Sequence, residues 1–165
     1  MRISVLVLAS ALAAMVAAGV GAAPLPEDVD KGLGFSLPAR ENDFAIVIGI
    51  EKYSELPSSE YSAADAELVR DYLISLGFPE RNIQFIVNEK ATLSRLAKTI
   101  ESWLPRQVKP NSKVFVYYSG HGAPDVTKAD KPEAFLVPHD GDPNDLAFTG
   151  YAVETLKRKL GELKV

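Results

Sequence analysis

Val114-Phe115-Val116-Tyr117-Tyr118-Ser119-Gly120-His121-Gly122 is the stretch whose reading decides the fold. Its first half is β-branched and aromatic, the composition of a buried strand in a parallel sheet. Its second half, Ser-Gly-His-Gly, breaks that pattern and reads as a loop. In open α/β sheets, ligand-binding loops lie at the carboxyl ends of the strands. His121 is therefore displayed where such an architecture does its chemistry. The two flanking glycines let the backbone turn sharply and let a substrate come close. Imidazole is the side chain best suited to taking a proton near neutral pH. His121 is accordingly the leading candidate for a general base.

Outward from that stretch, Phe44–Ile50 is a continuous apolar run, too short for a helix and consistent with a central strand. No glycine-rich phosphate cradle follows it, which excludes a dinucleotide fingerprint. Ser62-Ala63-Ala64-Asp65 opens a helix with a capping-box-like pattern, and Val69, Tyr72, Leu73 and Leu76 give it one apolar face. Gly77 stands at its carboxyl end. Ile83–Val87 reads as a second strand. Thr92 begins another helix with Leu93, Leu96, Ile100, Trp103 and Leu104 on one face, and Pro105 and Pro110 are expected to stop it. Trp103 reads as a core residue. The order strand, helix, strand, helix, strand predicts parallel strands with right-handed crossovers.

After His121 the pattern predicts a polar loop over Ala123–Glu133 and a short strand over Ala134–Pro138. A last helix is expected from Thr149 or Gly150 to Leu160, with Val153, Leu156 and Leu160 inward and Gly161 closing it. An alternation that closes on a helix leaves that helix's inner face waiting for another strand. The domain is therefore expected to be incomplete at its carboxyl end.

The chain has 165 residues, 47% of them hydrophobic and 24% charged, enough for one globular domain. The formal net charge of −4 argues against nucleic acid as a partner. There is no cysteine, which excludes disulfides, thiolate metal sites and a cysteine nucleophile from within these residues. Residues 1–22 read as a signal peptide: Arg2, then an apolar stretch, then small residues, with cleavage expected near Ala22. An uncleaved membrane anchor is the alternative. Secretion or a periplasmic location follows, with a membrane partner only if the segment stays attached. Residues 23–42, with Pro24, Pro26, Gly32, Gly34 and Pro38, read as a linker, and 43–165 as the domain.

Taken together, Phe44–Ile50 with its tyrosine-bearing loop, Ala64-Asp65-Ala66, Gly77-Phe78, Val116–Gly122 and Leu136-Val137-Pro138 with Asp140 resemble the caspase-like cysteine peptidases. The closest likeness is to their metacaspase-like bacterial branch, and it runs from Asp43 to the end of the chain. The resemblance implies a three-layer α-β-α sandwich around a mostly parallel sheet. It implies an endopeptidase acting on peptide or protein substrates. It makes His121 the catalytic histidine that activates a cysteine thiol. It makes Gly122 the residue whose N–H helps bind the oxyanion. It places Ser119 in the pocket for the side chain before the scissile bond. In metacaspases that pocket prefers a basic side chain and uses a further aspartate; none stands near Phe148-Thr149-Gly150, where it is expected. In caspases the histidine precedes the cysteine by about 50 residues, which from His121 falls beyond Val165. The residues thus hold the base and part of the oxyanion hole without the nucleophile, and the chain as written is expected to be inactive.

Other candidates are weaker. A serine nucleophile at Ser119 lacks the glycine two residues earlier that a nucleophile elbow needs; Tyr117 stands there. Some metacaspases are calcium-activated, and Asp125, Asp130, Glu133, Asp140, Asp142 and Asp145 follow His121. The Asp140–Tyr151 stretch nevertheless fails the EF-hand pattern, so a solvated acidic loop is the simpler reading. No cofactor is implied. His139, between Pro138 and Asp140, reads as a loop residue more readily than as a metal partner of His121. Asp65 reads as a carboxylate in the first turn of a helix. A non-catalytic interaction module on the same fold is the alternative to a peptidase.

Overall fold

The computed structural model describes residues 34–125 and 133–165. The expected signal peptide, the first part of the linker and Asp130 lie outside the described residues.

The main sheet has three parallel strands in the order β2-β1-β3: β1 (Phe44–Gly49), β2 (Ile83–Val87) and β3 (Val114–Ser119). Every residue of β1 is buried, as its uninterrupted apolar run requires of a central strand. Its alternate side chains feed two different cores. Ala45 and Val47 meet Ala66 and Leu73 of α1 (Ser62–Ser75) on one face. Phe44, Ile46 and Ile48 meet Leu96, Ile100 and Leu104 on the other, together with Leu156 and Leu160 of α5 (Val153–Gly161). Each such side chain taken out of water contributes about 1.5–3 kcal/mol before conformational entropy is charged against it. The layers are thus helix, sheet, helix, as the sequence pattern predicts.

β3, read from the sequence as a buried parallel strand whose outer edge is exposed if the next strand is missing, has all six residues half-buried, and among the described residues β1 is its one neighbour. Its two faces are still covered, by Val114, Val116 and Tyr118 on one side and Phe115 and Tyr117 on the other. The exposure is along its outer edge. Phe44 N–H donates to the Lys113 carbonyl and Ile50 N–H to the Ser119 carbonyl. In this register Phe115 and Tyr117 turn their backbone groups toward β1, and Val114, Val116 and Tyr118 turn theirs away from it.

The helices also differ in detail. No capping box forms on α1: Tyr61, in the left-handed region at φ 67°, precedes it without a side-chain cap, and the Ser62 hydroxyl bonds to that of Ser59 instead. Leu76 is exposed rather than part of the apolar face. Gly77 ends the helix at φ 91°, as expected. Thr92 caps the next helix, accepting from Arg95 N–H at 3.3 Å. Pro105 does not stop that helix. Between α2 (Leu93–Ala97) and α3 (Leu104–Gln107) the chain widens into a π-helical stretch, Lys98–Trp103, in which Leu104 N–H donates to Thr99 five residues back. A proline has no N–H to donate four residues back, and the wider turn accommodates that loss. Trp103 packs edge-on against Phe44, as a core residue should.

After His121 the chain is not a simple loop. β4 (Gly122–Asp125) and β5 (Glu133–Leu136) form an antiparallel hairpin, and β5 also pairs with β6 (Tyr151–Ala152). A short helix, α4 (Leu146–Thr149), precedes β6, so the last long helix begins at Val153 rather than at residue 149 or 150. Among the described residues no helix is long and apolar enough to cross a membrane.

Candidate active site

The carboxyl ends of β1 and β3 lie side by side, Gly49 opposite Ser119. The loop that leaves β1 is tied down at several points. Asn88, in the left-handed region at φ 48° just past β2, accepts through its side-chain oxygen from the N–H groups of Glu51 and Lys52 at 2.9 and 3.1 Å. The His139 ring bonds through Nδ1 to the Lys52 carbonyl at 2.6 Å. The His139 carbonyl accepts from both the N–H and the hydroxyl of Ser54. His139 is therefore a strut for this loop and not a metal partner of His121.

From the anchored loop two residues reach His121. The Pro57 carbonyl lies 2.8 Å from His121 Nε2. A carbonyl can only accept, so Nε2 carries the hydrogen in the neutral ring, and Nδ1 keeps its lone pair. Nδ1 has no hydrogen-bond partner among the described residues. Tyr53 does the rest: its hydroxyl accepts from His121 N–H at 2.7 Å, and its ring lies over the imidazole with centroids 4.7 Å apart. The Tyr118 hydroxyl lies 2.7 Å from the His121 carbonyl and 2.8 Å from that of Val137, donating its one hydrogen to this pair. Burial, and then the neighbouring Tyr53, drive the Tyr118 hydroxyl far above the ordinary tyrosine range. Burial raises Tyr53 as well, against its hydrogen bonds with the Tyr118 hydroxyl and the His121 backbone. Both phenols therefore stay neutral across the physiological range.

Gly120 does not leave room for a substrate, as the sequence suggests. At φ 156° it adopts a conformation other residues avoid, and a Cβ there would sit 2.5 Å from the Tyr53 hydroxyl and 2.9 Å from that of Tyr118. Gly122 is the open one. Val137 N–H donates to the His121 carbonyl, which fixes the hairpin register. Gly122 and Leu136 are then a pair whose backbone groups point away from each other, and Gly122 N–H faces out of the sheet. Pro124 occupies the next such position, where the missing N–H is tolerated.

Ser119 extends β3 by its side chain toward Tyr117. The Tyr117 hydroxyl is raised chiefly by burial, lowered by the hydrogen bond to Ser119 and raised again by the Asp65 carboxylate. Asp65 thus projects its charge from the first turn of α1 onto the polar group beside Ser119. Asp65 stands in the first turn of α1, as the sequence reading has it. Two of the acidic residues after His121 accept from backbone: Asp140 from Leu93 N–H at 2.9 Å, at the start of α2, and Asp142 from Asn144 N–H at 2.8 Å, within its own turn. Among the described residues no three His, Cys, Asp or Glu side chains are grouped to hold a metal.

A parallel sheet with helices on both faces and an imidazole at the tip of β3 defines the class, and the comparison with known families agrees. A family model described as the caspase domain matches residues 42–161. The chain belongs to the caspase family of peptidase domains. A search of curated proteins found no match.

Proposed function

We propose that this chain is the histidine-bearing part of a cysteine-type endopeptidase, with His121 as general base, Gly122 N–H as an oxyanion donor and Ser119 lining the pocket for the side chain before the scissile bond. The observation that carries this is the His121–Pro57 contact. It dedicates Nε2 to a backbone acceptor and leaves Nδ1 free to take a proton from a nucleophile. Among the described residues the outer edge of β3 carries no strand, and another strand docked there would bring a thiol within reach of Nδ1.

The 165 residues contain no cysteine, so the thiol comes from outside them, and these residues alone do not hydrolyse peptides. The Asp65 carboxylate, whose charge adds to the raised pKa of the Tyr117 hydroxyl, would favour a basic substrate side chain at the Ser119 end of the site. The leader at residues 1–22 would carry the domain out of the cytoplasm. The lack of a thiol also favours a second reading, a non-catalytic module that binds peptides on the same rim. Reading the coding DNA past codon 165 and assaying the encoded protein distinguishes the two. A strand followed by a cysteine, with arginyl- or lysyl-peptide hydrolysis lost in His121→Ala, is the expected result. A stop codon there, with peptide binding and no hydrolysis, would replace the peptidase with the binding module.

A further inference from the structure

We propose that Tyr53 is the positioning residue for His121, fixing both the main chain and the ring of the base from the loop that follows β1. The idea rests on the reading of His121 as a base, and adds to it a residue that does not itself react. Three observations converge on it. First, the Tyr53 hydroxyl is the acceptor for His121 N–H at 2.7 Å. In the hairpin register that N–H would otherwise face the Val137 carbonyl, which accepts from Tyr118 instead. The phenol therefore substitutes for a ladder bond and sets where β4 begins. Second, the Tyr53 ring lies against the imidazole at 4.7 Å and a 41° tilt, closing one face of it. Third, Gly120 is confined between the Tyr53 and Tyr118 hydroxyls, so the turn that delivers His121 is shaped around these two phenols.

The loop itself is built to hold Tyr53 still. Asn88 grips the N–H groups of Glu51 and Lys52 just before it, and His139 grips the Lys52 carbonyl and Ser54 on either side of it. Pro57, four residues later on the same loop, receives His121 Nε2. One loop thus clamps the base at its amide and at its far ring nitrogen, while Nδ1 has no partner among the described residues. Loss of the phenol hydroxyl releases the amide, lets the ring swing from Pro57, and mixes the two neutral tautomers.

The test uses protein labelled with nitrogen-15 in histidine. The chain has two histidines, and His139, bonded through Nδ1 to Lys52, is the internal control in the opposite tautomer. In the unmutated protein His121 is expected as the Nε2–H form. In Tyr53→Phe, which keeps the ring, the Nδ1–H form of His121 should rise by about two- to tenfold, the worth of one hydrogen bond, with His139 unchanged. Tyr53→Leu, which also removes the ring, should shift it further. An unchanged His121 tautomer in both variants, with only a lower melting temperature, would reduce Tyr53 to a packing residue and overturn the proposal. If the variants do not fold, amide exchange in the unmutated protein decides: slow exchange at His121 N–H is expected, and unprotected exchange overturns it. These spectra need no nucleophile. Failure here leaves the peptidase reading standing, and absence of hydrolysis leaves the Tyr53 result standing.

Discussion

The two ends of β1 carry equally dense hydrogen bonding put to opposite uses. At the amino end every strong group is closed upon another. Asp43, buried, pairs with Arg40 at 2.6 Å and accepts from Lys113 N–H at 2.8 Å. Asn82 donates to the Asp43 and Glu41 carbonyls. Leu37 and Arg40 donate to carbonyls at the end of α1, so the segment before the domain is laced to it. At the carboxyl end the bonds converge on one imidazole and stop short of satisfying it. Among the described residues, Nδ1 of His121 has no hydrogen-bond partner, Gly122 N–H points away from β5, and the outer edge of β3 carries no strand.

Substitutions at the two ends should separate stability from chemistry. Asp43→Ala removes the acceptor of the Lys113 N–H and the partner of the Arg40 guanidinium, and it should lower unfolding stability by about 1.5 kcal/mol, read by urea or thermal melting. The alkaline limb of stability comes next in size. The Tyr118 pKa is raised in the folded state, so its contribution is fully present below the unfolded value of about 10 and is lost as pH climbs above it. Melting followed from pH 9 upward should therefore show a decline, approaching about 1.4 kcal/mol per pH unit for this one group. Tyr118→Phe should make the decline shallower.

Asp65→Asn should move the Tyr117 hydroxyl back toward its ordinary pKa in an ultraviolet titration, since the carboxylate raises it. In a thiol-bearing form of the protein the same change should cost several-fold in kcat/KM for arginyl peptides and little for neutral ones. The smallest effect on stability is expected at His121, the proposed base. His121→Ala should shift the melt by less than about 1 kcal/mol, because the ring is open at Nδ1 and its one side-chain bond is exposed. A large loss there, or none at Asp43, would break the contrast between the two ends.

What was legible in the sequence was local. Phe44–Ile50 and Val114–Ser119 declare themselves as strands because a short apolar run has few other uses, and Ser119-Gly120-His121-Gly122 marks the tip of one. The edge position of β3 was legible only indirectly, from an alternation of strands and helices that closes on a helix, because strand order is set by packing across the sheet and not by local composition. The supports of His121 were equally hidden. Tyr53 and Pro57 meet it across 68 and 64 residues of chain, and a tyrosine or a backbone carbonyl in a polar loop carries no local signal. Asp65 was seen but given to its helix, because charge acting on Tyr117 across the sheet face leaves no trace in spacing. β4 escaped because a strand containing Gly122 and Pro124 violates propensity; it is held by pairing with β5 instead. The π-helical turn before Pro105 is a compromise between a continuous apolar face, which asks the helix to go on, and a proline, which asks it to end.

The most direct test is the rate at which the purified 165-residue chain cleaves fluorogenic peptides with arginine, lysine or aspartate before the scissile bond. A base without a thiol predicts no turnover above the uncatalysed rate for any of them. Turnover that disappears in His121→Ala would contradict the account, because His121 would then be serving a nucleophile already present in the chain.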